Sequence, residues 1–240
     1  MRTVRFAGKV VLVAGGTGGL GRAVSLAFSE EGAQVVATYR KPDEFAALQR
    51  AAGTNGPRIE GHVVDLTDEA ATQQLVDGII ARHQRVYAMV NTVGSYAGGP
   101  KLWESDRKAF DQMLSANFLP GLTLARAVVP SMLKQGHGAI VNVASKAAVD
   151  HQAGAAAYAA SKAGALALMD SLAEDLRGTG VRVNSVLPSV IDTEANRRAM
   201  PKADFAKWPK PEDIARVILF LCGEDAKVIH GAAVPVYGAD

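Results

Sequence analysis

The sequence predicts an α/β fold: one doubly wound parallel sheet of about seven strands, with helices on both faces. Two observations carry this. Short runs rich in Val, Ile and Ala alternate with longer helix-forming stretches along the whole chain. Repeated strand–helix–strand order closes through right-handed crossovers onto a parallel sheet. Most of the short runs also lack strict polar/apolar alternation, which fits strands covered on both faces.

Residues 10–14 form the first strand, and a glycine-rich turn leads into a helix over 20–31. The strand at 34–39 precedes a helix over 43–52, and the strand at 58–64 precedes one over 69–83. The strand at 87–92 is followed by one long helix over 107–134, and that at 139–144 by a helix over 155–178. The strand at 182–187, a helix over 211–222 and a short strand at 233–237 complete the set. Residues 188–210 are the one long irregular stretch, and their length suggests a lid over a site. No linker, repeat or low-complexity segment interrupts the chain, so 1–240 reads as a single domain.

Composition removes several function classes. The 240 residues are 48% hydrophobic and 21% charged, as in a globular protein with a large core. A net charge of +2 without basic runs gives no nucleic-acid footprint. No stretch reads as a membrane span, and the N-terminus runs into a strand without the apolar core of a signal peptide. A cytoplasmic setting is therefore expected. Cys222, the single cysteine, lies in V-I-L-F-L-C and reads as a packed helix residue, and the five histidines lack ligand spacing. No metal is expected.

The first strand ends in A-G-G-T-G-G-L-G, residues 14–21. Glycines there permit tight turns and close approach of main-chain N–H groups to a phosphate, and the following helix adds its positive end. Two registers fit. Gly16, Gly18 and Gly21 spell G-x-G-x-x-G, while Gly15, Gly19 and Gly21 spell G-x-x-x-G-x-G. Their place between a strand and a helix predicts a Rossmann-type dinucleotide site. At the end of the second strand, V-V-A-T-Y-R-K, Tyr39 stands where a carboxylate would take the ribose hydroxyls of NAD. Arg40 and Lys41 follow, and two cations suit a 2′-phosphate, so NADP(H) is the expected cofactor. Asp43 and Glu44 lie close enough to keep NAD open.

Tyr158 and Lys162 stand four apart in A-A-A-Y-A-A-S-K-A-G-A-L, a strongly helical stretch that puts both on one face. A phenol ordinarily ionises near pH ~10, and a neighbouring cation would lower that value toward the neutral range. The pair thus offers a general acid/base. Spacing alone does not separate it from a surface tyrosine and lysine on an ordinary helix.

Together these features resemble the short-chain dehydrogenase/reductase family over essentially the whole chain. The glycine segment is similar to T-G-x-x-x-G-x-G, with Ala14 in place of threonine. The resemblance implies cofactor contacts at Gly15, Thr17, Gly18, Gly19, Leu20 and Gly21, and at Tyr39, Arg40 and Lys41. Asp65 and Leu66 fall in V-V-D-L, with Asp65 matching the acid that bonds the adenine ring. Asn91, Val93 and Gly94 fall in N-T-V-G, similar to N-N-A-G but with Thr92 and Val93 at two of its letters. Asn184 and Pro188 fall in N-S-V-L-P-S, similar to N-x-V-x-P-G, with Ser189 replacing glycine and Val190 next. Thr193 matches the threonine on the nicotinamide carboxamide. Asn117 in S-A-N-F, Ser145 in I-V-N-V-A-S, Tyr158 and Lys162 match the family's catalytic set.

The implied activity is hydride exchange between the cofactor and a carbonyl or alcohol carbon of a small molecule. Tyr158 gives or takes the proton, and Lys162 lowers its pKa and bonds the nicotinamide ribose. Ser145 bonds the substrate oxygen, and Asn117 holds a water that links Lys162 to solvent. Singly, Ser145 could end a strand, Asn117 could be a polar helix residue, and Asp65 could cap a turn. Those readings leave their joint order unexplained.

Residues 192–208 are similar to the cluster D-T-x-x-N-R-x-x-M-P-x-A-D-F-x-x-W of dihydropteridine reductases and related bacterial reductases. NADH-dependent dihydropteridine-type reduction is the alternative this implies. Arg197, Arg198 and Lys202 either attract an anionic substrate or face solvent, solvation being the simpler reading. Phe205 and Trp208 either anchor the lid or roof the pocket, and Tyr96 and Trp103 are placed to line the cleft. The small-residue helices at 107–134 and 155–178 permit packing between subunits, and the family is usually dimeric or tetrameric. A homo-oligomer, as a tetramer, is expected. A non-catalytic NAD(P) sensor or scaffold would have no need of the full set Asn117, Ser145, Tyr158 and Lys162. A sugar-nucleotide epimerase of the extended branch would need more chain after Lys210.

Overall fold

The computed structural model describes residues 4–239, so residues 1–3 and 240 of the expected domain lie outside the described residues. The apolar runs become a seven-stranded sheet in the order β3-β2-β1-β4-β5-β6-β7. The strands are β1 (Val10–Ala14), β2 (Gln34–Tyr39), β3 (Ile59–Val63), β4 (Ala88–Asn91), β5 (Gly138–Val143), β6 (Val181–Pro188) and β7 (Ala233–Val236). Every neighbouring pair is parallel.

Successive side chains of a strand point to opposite faces, and each face has its own core. Val11 and Val13 join Val35, Ala37, Val90 and Val141 under α1 (Gly19–Glu30) and α8 (Pro211–Cys222). Leu12 and Ala14 join Val36, Met89 and Ile140 on the other face. That face is covered by α3 (Glu69–His83), α5 (Leu119–Gln135) and α6 (Ala156–Asp175). The second helix, α2 (Pro42–Ala52), adds Leu48 to the first core. Cys222 is buried in α8, and burial pushes its thiol up to about 12.

The chain winds from β1 through β2 to β3, then returns to β4 on the opposite side of β1. This reversal opens a crevice at the carboxyl ends of the strands, where open α/β sheets take their ligands.

Two elements differ from the sequence reading. The helix expected over 107–134 is two helices, α4 (Arg107–Asn117) and α5, parted at Phe118 (φ −102°, ψ −52°). Pro120 has no N–H for the carbonyl four residues back, and its ring crowds the turn before it. The break leaves Asn117 as the last residue of α4, and it is buried. The lid is not irregular throughout. It carries a short helix, α7 (Glu194–Ala199), capped by the Thr193 hydroxyl, and a 3-10 turn, Phe205–Lys207, capped by Asp204. Among the described residues no helix is long and apolar enough to cross a membrane, and no group of three or more His, Cys, Asp or Glu could hold a metal ion.

Candidate active site

The turn after β1 is packed so closely that neighbours decide between the two glycine registers. A Cβ on Gly21 would lie 2.0 Å from the Gly15 carbonyl oxygen, and one on Gly19 would lie 2.7 Å from Cγ2 of Thr193. Gly15 itself sits at φ +72°, where only glycine is unstrained. A Cβ on Gly18 would meet nothing nearer than 3.4 Å. The register is therefore Gly15, Gly19 and Gly21. Gly16 is needed as well, because a Cβ there would lie 2.7 Å from that of Ala37. Gly21→Ala is expected to destabilise the fold by about 1–3 kcal/mol, as overpacking does, and to spoil nucleotide binding. Gly18→Ala should melt close to the parent; thermal melts and a nucleotide titration check both.

Ala14 lacks the hydroxyl that the family's threonine would supply, and two other hydroxyls fix the turn. Thr38 accepts the Gly15 N–H at 2.9 Å, and Thr92 donates to the Ala14 carbonyl at 2.7 Å. No side chain caps the start of α1. Thr17 lies at the same turn and donates to Glu44 at 3.1 Å.

Glu44 also takes Lys41 at 3.1 Å, so Lys41 is already paired. Tyr39 stacks on Phe45 with ring centroids 4.8 Å apart. Arg40 is exposed and free of that pair. Asp65 accepts the Thr67 N–H at 2.9 Å and its hydroxyl at 2.8 Å. Those bonds, with the Arg40 charge nearby, hold its carboxyl below the usual range. Asp65 thus shapes the turn before Asp68 and faces the same corner as Arg40. Leu66 is buried behind it, its carbonyl accepting Thr123 at 2.6 Å.

Deeper in the crevice, Asn91 donates to Asn142 at 2.9 Å and accepts the Val93 N–H at 3.1 Å, which fixes the turn carrying Val93 and Gly94. A Cβ on Gly94 would come within 2.8 Å of Asn117 Oδ1 and 2.9 Å of Lys162 Nζ. Asn117 accepts the Ser95 N–H at 2.8 Å and donates to the Ser95 carbonyl and to Ser161 Oγ, each at 3.0 Å. Ser161 in turn donates to the Tyr158 carbonyl at 2.7 Å. These bonds tie α4, α6 and the strand-end turn into one frame around the lysine.

Lys162 is buried, and burial pushes its amine down to about 8. Its Nζ donates to the Val143 carbonyl at 3.0 Å. Tyr158 lies edge-on to Tyr96, ring centroids 4.9 Å apart. Burial raises its pKa, a hydrogen bond from Ser145 opposes that, and Tyr96 adds to the rise. Here the sequence expectation needs correction. Spacing put phenol and amine on one face, but the amine turns to a strand carbonyl, and the phenol is raised above its ordinary value instead of lowered. Ser145 also accepts the Ala147 N–H at 3.1 Å, which aims its hydroxyl.

Ser189 donates to the Tyr237 carbonyl at 2.7 Å, tying the strand end with Pro188 and Val190 to the C-terminal segment. Thr193 turns its methyl onto Gly19 and its hydroxyl to the Asn196 N–H at 3.2 Å. Arg197 pairs with Asp192 and Arg198 with Glu194, so neither lies free for an anion, whereas Lys202 is exposed. Trp208 is buried and packs against Phe205 at 5.0 Å, which makes it the anchor of the lid. Trp103 stands exposed on the 3-10 turn Leu102–Glu104 under the Lys101 ammonium, and of the two aromatics only Tyr96 touches the phenol.

Sequence reasoning passed over Thr38, Asn142 and Ser161. Ser161 carried a signal, three residues after Tyr158 on the same helix; Thr38 and Asn142 act through strand pairing.

A family profile described as short chain dehydrogenase matches residues 9–204. The 3-oxoacyl-(acyl-carrier-protein) reductase of Thermotoga maritima is 30% identical over 98% of this chain and 98% of its own length. A D-threitol dehydrogenase of Mycolicibacterium smegmatis is 32% identical, covering 98% and 93%. Among solved structures, a carveol dehydrogenase from Mycobacterium avium in complex with NAD superposes with a TM-score of 0.89 at 25% identity, covering 98% of each chain.

Proposed function

We propose that this chain, which belongs to the short-chain dehydrogenase family, interconverts a carbonyl and an alcohol on a small molecule with NADP(H) as its cofactor. The observation that carries the reading is the half-buried phenol of Tyr158, with Ser145 beside it, set one helical turn from the buried Lys162. Ser145 lies just beyond the carboxyl end of β5, and Lys162 reaches the last carbonyl of that strand. The glycine cradle fits a dinucleotide: Gly15, Gly19 and Gly21 bring bare backbone to the start of α1, whose first N–H groups no side chain caps and a pyrophosphate would take. When bound, the nicotinamide supplies or accepts the hydride.

Each residue's part follows from its surroundings. Tyr158 holds a proton over the neutral range and can give it to the oxygen of a carbonyl under reduction. Ser145, already aimed by Ala147, can donate to the same oxygen as negative charge develops. Lys162 and Gly94 floor the nicotinamide end, and Asn117 keeps the turn above them in place. Thr193 closes over the glycine turn from the lid side.

Arg40 supports NADP(H) over NAD. Among the described residues it makes no close salt bridge, unlike Lys41, and its charge acts on Asp65, where an adenosine ribose would end. Arg40→Ala is expected to weaken NADPH about 10–100-fold, the worth of one charge-assisted hydrogen bond, and to leave NADH nearly unchanged. Fluorescence titration with each cofactor checks this. The lid's likeness to dihydropteridine reductases does not favour pteridines, because Asp192, Thr193, Asn196, Arg197 and Asp204 bond within the lid itself.

A second copy of the chain is the proposed partner. The outer faces of α5 and α6 leave an apolar groove along Leu122, Val129, Pro130, Leu168 and Leu172. Light scattering on the purified protein reads the oligomer size. A panel of ketones and aldehydes followed at the NADPH and NADH absorbance tests the activity. Tight cofactor binding without turnover on any of them would reject it.

A further inference from the structure

We propose that Arg197 is a positioning residue: it clamps the two arms of the lid together, so that Thr193 is held on the glycine turn. The inference rests on the hydride-transfer reading for its kinetic part alone.

The lid closes on itself at its base, where the Asp192 N–H donates to the Pro209 carbonyl at 3.0 Å. From there one arm carries Thr193 and α7, and the other carries the Phe205 turn. Arg197 projects from α7 and engages two side chains. Its Nε and Nη2 donate to the two carboxylate oxygens of Asp192, the latter at 2.8 Å. The guanidinium carbon lies over the Phe205 ring, 4.9 Å from its centre. Phe205 packs on Trp208, which is itself buried. A continuous path therefore runs from Trp208 through Phe205 and Arg197 to Asp192, the residue just before Thr193.

The near end of this path is set for precision. The Asp192 side chain is only 7% exposed, although its partner arginine is half exposed. A carboxylate so enclosed needs a fixed partner, and a planar fork supplies two parallel bonds that fix its orientation. Asn196 adds a bond to the Ile191 carbonyl at 2.8 Å, and its N–H donates to the Thr193 hydroxyl. Thr193 is thus locked on both sides, and its methyl meets Gly19 at a contact that a Cβ there would bring to 2.7 Å. Lys210 also places its charge near Asp192, but it offers no stacking surface toward Phe205.

The test uses R197M and R197K in the full chain. Four readouts are the NADPH dissociation constant, kcat and KM for a carbonyl found by screening, tryptic cleavage after Arg198 and Lys202, and the melting temperature. R197M is expected to lose about 10²-fold in kcat/KM, the scale of a misplacement near 1 Å, and to bind NADPH more weakly. It should be cut faster in the lid and melt near the parent temperature. R197K should recover part of each loss, since one bond to Asp192 survives. Parent-like cleavage and NADPH affinity in R197M would overturn the clamp. So would losses that track a lowered melting temperature without rescue by R197K. If the parent reduces no carbonyl, the functional reading fails, while cleavage and NADPH affinity still judge the clamp.

Discussion

Tyr158→Phe is expected to cut turnover by about 10²–10⁴-fold, the usual worth of a positioned acid, and to leave dinucleotide binding nearly intact. Phenylalanine keeps the ring and its edge contact with Tyr96 at 4.9 Å, so the wall of the cleft stays in place. Lys162 is held by Val143 at 3.0 Å and does not depend on the phenol oxygen. What disappears is one proton at one atom. In the free protein that proton is held tightly, because burial outweighs the Ser145 hydrogen bond. A spectrophotometric titration, parent minus variant, should place the Tyr158 ionisation above the ordinary phenol value of about 10. The sign matters for direction. A phenol that keeps its proton is ready to reduce a carbonyl throughout the neutral range, whereas alcohol oxidation needs the phenolate and should speed up as pH rises. Retained turnover in Tyr158→Phe would remove the proposed acid, and a difference titration with its midpoint near neutrality would remove the account of its burial.

The strands could be read from the sequence because a strand buried on both faces needs an unbroken apolar run, and runs such as V-V-L-V-A supply one. Each of the seven lies within one residue of its expected ends. Helix ends were harder to read. At Phe118 the local signal, Pro120, competes with helix-forming residues on both sides, and only the packed structure shows which prevails. The glycine register was not legible from the letters alone, although the family resemblance pointed to Gly15, Gly19 and Gly21. One deciding neighbour, Thr193 in the lid, meets the turn only after folding. Tyr158 and Lys162 were found by spacing, but the state of the phenol depends on depth and on a carbonyl from β5, which spacing does not encode. The lid arginines show the same limit. Arg198 pairs with Glu194 at helical spacing, whereas Arg197 reaches Asp192, five residues back and outside the helix.

Lys162→Met should separate stability from activity, raising the one and removing the other. The amine is fully inside the protein, and its pKa falls from 10.5 to about 8. At neutral pH the native state therefore carries a buried ammonium at a cost of about 3 kcal/mol relative to water, since a tenfold change in proton affinity is worth about 1.4 kcal/mol. Methionine fills a similar channel without charge. The lost charge-assisted hydrogen bond to Val143 gives back about 1.5 kcal/mol, which leaves the variant about 1–2 kcal/mol more stable at pH 7. The pH dependence has a definite sign. Between about pH 8 and 10.5 the unfolded chain keeps the Lys162 proton and the native state has released it, so the parent gains stability as pH rises through that window. The gap between parent and variant is thus widest below pH 8 and narrows above it, which urea melts of the cofactor-free proteins at pH 7 and pH 9.5 can follow. Turnover moves the other way, with a loss of about 10²-fold or more as the nicotinamide end loses its floor. A variant less stable than the parent at pH 7, with a gap indifferent to pH, would mean that the amine is not a buried cation. The cost borne at Lys162 would then have to be sought elsewhere in the crevice.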